Sequence, residues 1–99
     1  NKFIEMGIDI ARSHHERWDG KGYPHKLKED EIPLSARIMS IADVYDALRM
    51  KRVYKAAYTK EKANTIIAEG SGTQFDPVMV ASFKRVADKF DGIYREWAD

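Results

Sequence analysis

The segment IPLSARIMSIADVYDALR, residues 32–49, decides the fold class of this 99-residue chain. Its apolar residues recur four and three positions apart, which is the period of an α-helix, at Leu34, Ile38, Ile41, Tyr45 and Leu48. Pro33 suits the first helical turn because its missing N–H would have no partner there. We therefore predict a helix from about residue 33 to residue 49.

The residues before this segment predict a further helix and then a long loop. Residues 2–18 repeat the helical period at Ile4, Ile8, Ala11, His15 and Trp18, so we expect a helix that ends near Trp18. Residues 19–33, DGKGYPHKLKEDEIP, hold two glycines, two of the three prolines and a run of charges, and show no regular period. We expect a loop of about fifteen residues, a length that in compact domains is usually functional or disordered.

The residues after the central segment predict two more helices. Thr59 is a candidate N-cap for a short helix that stops at Gly70 or Gly72. Asp76 and Pro77 pair an N-cap with a first-turn proline. A helical stripe then continues almost to the C-terminus, at Val80, Phe83, Ala87, Phe90, Tyr94 and Trp97. No segment alternates as a strand would, so we predict an all-α fold of four helices.

Composition excludes several classes of protein. The 17 Lys and Arg residues nearly balance 16 Asp and Glu, so no overall field attracts nucleic acid or an anionic membrane, and we expect neither DNA, RNA nor a membrane as partner. The absence of cysteine excludes a disulfide scaffold and thiolate metal ligands. The longest apolar run, residues 78–81, is far shorter than the roughly 20 residues of a membrane span. We expect one small domain at most, which is cytoplasmic or is a cytoplasmic piece of something larger.

Two adjacent histidines are the first candidates for chemistry. His14 and His15 lie near the C-terminal end of the first predicted helix, where both can face one space and bind neighbouring metal ions. A metal site needs three or more ligands, and without cysteine only carboxylates can supply the others. The alternative is that His15 is a hydrogen-bonded core residue and His14 is solvated.

Two carboxylates on the second predicted helix are the next candidates. Asp43 and Asp46 lie three positions apart on one polar edge, a spacing that suits a divalent cation or a ligand and base pair. The alternative is an ordinary solvated helix face. The apolar neighbours Ala42 and Val44 indicate partial burial of Asp43.

A basic turn and a glycine loop complete the set. Arg52 and Lys55 follow the second helix and could bind an anionic substrate against a metal, although a solvated basic turn explains them equally well. Gly20 and Gly22 permit sharp turns, and Pro24 stiffens the exit of the loop.

Four strings of sequence occur in order: HHERWDGKGYP at 14–24, IPLSARIMSIADVYDAL at 32–48, RVYK at 52–55 and GTQFDP at 72–77. Together they closely resemble the C-terminal half of the HD-GYP domain family. Members of that family are helical, metal-dependent phosphodiesterases that hydrolyse the bacterial second messenger cyclic di-GMP. The resemblance implies that residues 1–99 are the C-terminal portion of one such domain, without the N-terminal half that carries the His-Asp doublet.

The resemblance implies roles for individual residues of the site. His14, His15 and Asp43 correspond to metal ligands in a family site that holds two or three divalent ions, with iron or manganese favoured. Because the other ligands belong to the preceding half, we expect an incomplete site and an inactive isolated chain, with no catalytic residue beyond these ligands.

The remaining motif residues correspond to substrate contacts and to the loop that names the family. Asp46, Arg52 and Lys55 are implied to contact cyclic di-GMP, although Val53 stands where the family usually has proline. The loop is linked in the family to docking of diguanylate cyclase domains and comprises Asp19, Gly20, Gly22, Tyr23 and Pro24.

Two other functions stay open, and one physical expectation follows. The parent could be a non-catalytic HD-GYP-like module that binds a partner or a messenger, or the chain could be a purely structural four-helix domain. In an intact domain the first two helices would pack against the missing half. We therefore expect exposed apolar surface at Ile4-Ile8-Ala11 and Leu34-Ile38-Ile41, and self-association through it.

Overall fold

The computed structural model describes residues 1–51 and 56–97, and it describes residues 88 and 90–97 by their backbone alone. Four α-helices follow one another in this part of the chain: α1 (Lys2–Ser13), α2 (Leu34–Arg49), α3 (Lys60–Glu69) and α4 (Pro77–Trp97). A single 3-10 turn, Glu29–Glu31, interrupts the loop before α2. Outside the helices, one isolated bridge joins Ser71 and Phe75, and no strand forms within these ranges. The prediction of an all-α fold with four helices is confirmed.

Three of the four helices begin and end where the sequence predicts. Helix α2 covers the predicted range. Helix α3 begins after Thr59, whose Oγ1 accepts a hydrogen bond of 3.1 Å from the Lys62 N–H, and it ends at Gly70. Helix α4 begins after Asp76, whose Oδ1 accepts a hydrogen bond of 2.8 Å from the Val78 N–H. Side-chain capping therefore fixes the starts of α3 and α4, whereas α2 begins after Pro33 without a side-chain cap.

Helix α1 ends at Ser13, so the prediction of a helix reaching Trp18 is wrong. The His14 N–H still bonds Ile10 O at 3.0 Å, but the next backbone bond, from Glu16 N–H to Ser13 O, closes a tight turn. Trp18 N–H then bonds the carbonyl of Gln74 at 3.2 Å. The backbone beyond the turn is therefore used to bind distant segments rather than to continue the helix.

The core lies around α2, which packs against the other three helices. Its buried residues come from α2, α3, α4 and the segment before α4: Ile41, Tyr45, Ala63, Ile67, Phe75, Val80, Phe83 and Ala87. The rings of Tyr45 and Phe83 meet edge to face with centroids 5.1 Å apart. Burial of this apolar surface is the main stabilising term, at about 25 cal/mol per Å².

A buried ion pair joins the start of α2 to the start of α4. Arg37 Nη1 lies 2.7 Å from Asp76 Oδ2, and the Asp76 side chain is 2% exposed. Arg37 Nε also donates to the carbonyl of Ile32 at 2.9 Å. The aspartate of the GTQFDP string therefore has a structural role: it caps one helix and holds another.

The outer faces of α1 and α2 carry exposed apolar residues. Phe3, Ile4, Met6 and Ile8 of α1 and Leu34 and Ile38 of α2 are all exposed. The predicted exposed stripes are confirmed at Ile4, Ile8, Ala11, Leu34 and Ile38. The prediction is wrong for Ile41, which packs into the core. In the described part of the chain, no helix is both long enough and apolar enough to cross a bilayer.

Candidate metal and substrate cleft

One cleft of about 350 Å³ brings together residues that are distant in sequence. Its walls come from the turn after α1, the loop, one face of α2 and the segment before α4. The residues that line it are His14, His15, Glu16, Arg17, Tyr23, Ser40, Asp43, Val44, Ala47 and Gln74. The three predicted metal ligands therefore line one cleft, beside the tyrosine of the Gly-Tyr-Pro loop.

Helix α2 presents Asp43 to the cleft through its helical period. Ser40, Asp43 and Ala47 lie three and four positions apart, so they share one face. Asp43 is exposed, so the prediction of its partial burial is wrong. Its apolar neighbours in sequence belong to adjacent faces of the helix and do not cover it. Asp46 is also exposed but does not line the cleft.

The ring of His14 is held by the last turn of α1. Its Nδ1 lies 2.8 Å from the carbonyl oxygen of Ile10, and the ring is half-buried. Because a carbonyl only accepts hydrogen bonds, Nδ1 must carry the proton. The neutral ring then has its lone pair on Nε2, the arrangement in which metal-binding histidines are commonly held.

The ring of His15 is held in a different way. It stacks on the Tyr23 ring with centroids 4.8 Å apart and planes 17° apart, and its centroid lies 3.9 Å from that of His14. Within residues 1–51 and 56–97 neither ring nitrogen of His15 has a hydrogen-bond partner. His15 is exposed, so the alternative of a hydrogen-bonded core histidine is wrong.

Glu16 is a site residue that the sequence interpretation missed. Its side chain is fully buried and accepts hydrogen bonds from the backbone N–H groups of His25 at 2.7 Å and Leu27 at 2.8 Å. The Nδ1 of His25 lies 3.8 Å from the same carboxylate. The available signal was the long loop itself, because the N–H groups of an ordered loop need partners, and carboxylates within the loop and just before it can accept their hydrogen bonds.

The Gly-Tyr-Pro loop packs closely on the backbone of residues 14–17, the turn after α1 that carries both histidines and is called the histidine turn below. Gly22 is buried, and a Cβ at this position would lie 2.5 Å from both Arg17 N and His15 O. The Tyr23 N–H bonds the same His15 carbonyl at 3.3 Å. Only glycine permits this approach, so Gly22 brings Tyr23 onto His15.

The beginning of the loop is fixed by Asp19. Its carboxylate receives two bonds of 3.2 Å from Arg17 and one of 3.0 Å from the Lys21 N–H. The hydrogen bond from the Arg17 guanidinium, followed by that from Lys21, lowers the pKa of Asp19 below its ordinary value. Asp19 N–H bonds Thr73 O at 2.9 Å, and Gly20 takes a φ of 82° that favours glycine.

The donor set fits part of a metal site. His14, His15 and Asp43 offer two imidazoles and a carboxylate on one cleft, which are donor types that suit divalent transition metals. Among the residues described, no group of three or more His, Asp or Glu side chains is close enough to hold a metal ion by itself. Arg52 and Lys55 lie outside the described residues, so the structure does not test their predicted substrate contacts.

Comparison with known proteins identifies relatives of the whole chain. A cyclic di-GMP phosphodiesterase of Vibrio cholerae is 50% identical over 99 residues, which are 100% of this chain and 20% of the relative. A cyclic di-GMP phosphodiesterase of Thermotoga maritima is 41% identical over 96 residues, covering 97% of this chain and 26% of the relative. The chain thus spans about a fifth to a quarter of the length of these relatives.

A solved structure and a family model agree with these relatives. The crystal structure of a cyclic GMP-AMP specific phosphodiesterase of V. cholerae aligns with a TM-score of 0.68 and 26% identity, over 91% of this chain and 22% of that chain. The family model described as HD domain matches residues 2–79. With its ordered HHE, Gly-Tyr-Pro and FDP strings, the chain belongs to the HD domain family and is of the HD-GYP type.

Proposed function

We propose that this chain is part of a metal-dependent cyclic di-GMP phosphodiesterase domain, as its C-terminal portion. The observation that carries the proposal is the cleft that gathers His14, His15 and Asp43 beside the Gly-Tyr-Pro loop. A relative that is 50% identical is named a cyclic di-GMP phosphodiesterase, and one that is 49% identical is named a probable cyclic di-GMP phosphodiesterase, which supports cyclic di-GMP as the substrate. Cyclic GMP-AMP is the second candidate, because a relative at 41% identity and the aligned crystal structure carry that name.

Phosphodiesterases of the HD superfamily are generally dependent on divalent metal ions. In the proposed site, Nε2 of His14, the ring of His15 and the Asp43 carboxylate hold part of a centre of two or three ions, with iron or manganese favoured. When bound, such ions lower the pKa of a bound water and polarise the phosphodiester. The other ligands would come from the N-terminal half of the domain, so the isolated chain should bind metal weakly and lack useful activity.

Charged residues on α2 and just after it would bind the substrate. Arg52 would grip a phosphate bidentately and Lys55 would act as a point charge, both just after α2. Asp46 lies three positions from Asp43 and is exposed, so it is available to a substrate that extends beyond the cleft. Docking of a diguanylate cyclase domain on the Gly-Tyr-Pro loop and a cytoplasmic location stay predictions.

The test uses the complete protein that contains this chain, loaded with Fe(II) or Mn(II) without oxygen. Cyclic di-GMP and cyclic GMP-AMP are supplied separately, and products are separated by chromatography. We expect hydrolysis of cyclic di-GMP that His14→Ala abolishes together with bound metal. The control is Glu69→Ala, because Glu69 at the end of α3 is exposed and does not line the cleft, and this variant should keep its activity within about twofold.

Each other result selects an alternative. Faster hydrolysis of cyclic GMP-AMP than of cyclic di-GMP would make cyclic GMP-AMP the substrate and leave the assignment of the metal site unchanged. Binding of cyclic di-GMP without hydrolysis would favour the non-catalytic module. Equal loss of activity in the His14→Ala and Glu69→Ala proteins would contradict the assignment of the cleft as the metal site.

A further inference from the structure

Tyr23 combines exposure with a fixed position. Its side chain lies at the surface, 59% exposed, yet its ring lies nearly parallel to the ring of His15. An exposed tyrosine on an unrestrained loop would sample many orientations. Here the Tyr23 N–H bonds the His15 carbonyl, and Gly22 packs directly on the backbone of residues 15–17. The backbone of the loop therefore holds Tyr23 within stacking distance of His15.

The buried carboxylate of Glu16 holds the loop by accepting hydrogen bonds from its backbone. The two hydrogen bonds from His25 and Leu27 end on different oxygens of this carboxylate, whose side chain is fully buried. A buried carboxylate without these bonds would be strongly unfavourable, so the loop backbone and Glu16 stabilise each other. Glu16 also lies directly between His15 and Arg17 in the chain, so the same turn carries the histidine and the anchor of the loop.

The two histidines differ in what orients them. His14 is oriented by a hydrogen bond from Nδ1 to Ile10 O, the usual way in which a ligating imidazole is held. His15 has no such bond within the described residues, and the Tyr23 ring lies where its orientation can be fixed by stacking.

We propose that Tyr23 is a positioning residue: its ring holds the His15 imidazole in the orientation for metal binding, and Glu16 holds Tyr23 there through the loop. This inference rests on the proposed function, because it gives the Gly-Tyr-Pro loop a task at the metal site. It also predicts that the tyrosine ring is needed and its hydroxyl is not.

The experiment compares Tyr23→Leu, Tyr23→Phe and Lys21→Ala in the complete protein with isotope-labelled histidine. NMR of the metal-free protein reports the ring-proton shifts of His14 and His15, and titration with Mn(II) reports affinity. We expect Tyr23→Leu to remove an upfield ring-current shift from His15 alone and to weaken Mn(II) binding roughly tenfold, the size usual for loss of a group that orients a ligand. Tyr23→Phe should restore both, and Lys21→Ala, an exposed change in the same loop, should alter neither.

The outcomes separate this inference from the function on which it rests. Wild-type protein that binds no Mn(II) would contradict the metal site, whereas the His15 shifts would still report the stack. Normal metal binding with no effect of Tyr23→Leu would overturn the positioning role alone, as would Tyr23→Phe behaving like Tyr23→Leu. Should Tyr23→Leu fail to fold, Glu16→Gln tests the same inference, because Glu16 holds Tyr23 through the loop. This variant must weaken Mn(II) binding and reduce the ring-current shift of His15, or the inference is wrong.

Discussion

The proposed function gives the residues of the site separable tasks, as metal ligands and as substrate contacts. Asp43 lines the cleft with both histidines, whereas Arg52 follows α2 and is assigned to the substrate by the resemblance alone. A change at a metal ligand should remove metal and turnover together. A change at a substrate contact should raise KM and leave the metal in place.

We expect Asp43→Ala in the complete protein to abolish hydrolysis and metal binding, and Arg52→Ala to raise KM roughly ten- to a hundredfold with unchanged metal content. The second effect corresponds to one charge-assisted hydrogen bond, worth about 1.5 to 3 kcal/mol. Steady-state kinetics beside metal analysis measures both. Loss of metal from Arg52→Ala to the same degree as from Asp43→Ala would show that the roles are assigned wrongly.

Asp19 gives the loop a defined dependence on pH. Its pKa is lowered in the folded chain, first by the hydrogen bond from Arg17, so its contribution to stability is complete above the ordinary value of 3.8 and is lost as pH falls through the folded pKa. We expect Asp19→Asn to reduce the free energy of unfolding at neutral pH, with the difference from wild type shrinking in acid below that value.

Urea denaturation at a series of pH values measures this difference. Asp9→Asn is the control, because Asp9 has no hydrogen bond or ion pair within the described ranges. A difference between wild type and Asp19→Asn that grows toward acid would have the opposite sign and contradict the interpretation.

At the scale of the element, the loop depends on one close backbone approach. A Cβ at Gly22 would meet backbone atoms, which cannot move aside as a flexible side chain can. We expect Gly22→Ala to destabilise the chain by about 1 to 3 kcal/mol, the usual cost of overpacking. Chemical denaturation followed by circular dichroism measures the change.

The matched control is Gly7→Ala in α1, where a Cβ meets nothing within 4 Å. Alanine is the better helix former, so this change should stabilise the chain by up to about 1 kcal/mol. Equal effects of the two substitutions, in either direction, would contradict the packing described for the loop.

The helices also show why sequence predicted some boundaries and not others. The bounds of α2, α3 and α4 follow from local signals: an apolar period and capping residues such as Thr59 and Asp76. In α1 the period continues to Trp18, but the backbone there bonds Gln74, and no local pattern reports a partner so distant in the chain. Tertiary bonds therefore ended a helix that periodicity alone would have extended.

The sequence predicted which candidate ligands line the site, but it did not predict the hydrogen bonds of Glu16 that hold the loop beside it. The strings of sequence named His14, His15 and Asp43, and the fold places all three on one cleft. Glu16 acts through hydrogen bonds to residues nine and eleven positions later, whose geometry depends on the folded loop. A buried carboxylate of this kind shows no period that would distinguish it from a solvated one.

At the scale of the whole molecule, the exposed apolar surface of α1 and α2 predicts self-association of the isolated chain. A groove between these helices is lined by residues that include Met6, Ile10, Leu34 and Ile38. Covering such surface is favourable by about 25 cal/mol per Å². We expect the average mass in analytical ultracentrifugation to rise with concentration from micromolar to millimolar.

Substitutions locate the surface that associates. Ile38→Glu should shift the chain toward monomer, because a carboxylate in a covered apolar face would lose its hydration. Val78→Glu is the matched control, since Val78 is 66% exposed but lies outside the groove. A wild-type chain that stays monomeric throughout this range would contradict the prediction.

The packing of the loop on the histidine turn also determines how the two can move. The amide hydrogens of Tyr23, His25 and Leu27 all bond to atoms of His15 or Glu16. None of them can exchange with solvent deuterium unless the loop leaves the turn, so they belong to one cooperative opening unit. A metal ion bound by the histidines would stabilise the closed form of this unit and slow hydrogen exchange along the loop. The exchange rates of these loop amides would then show whether a metal ion occupies the cleft.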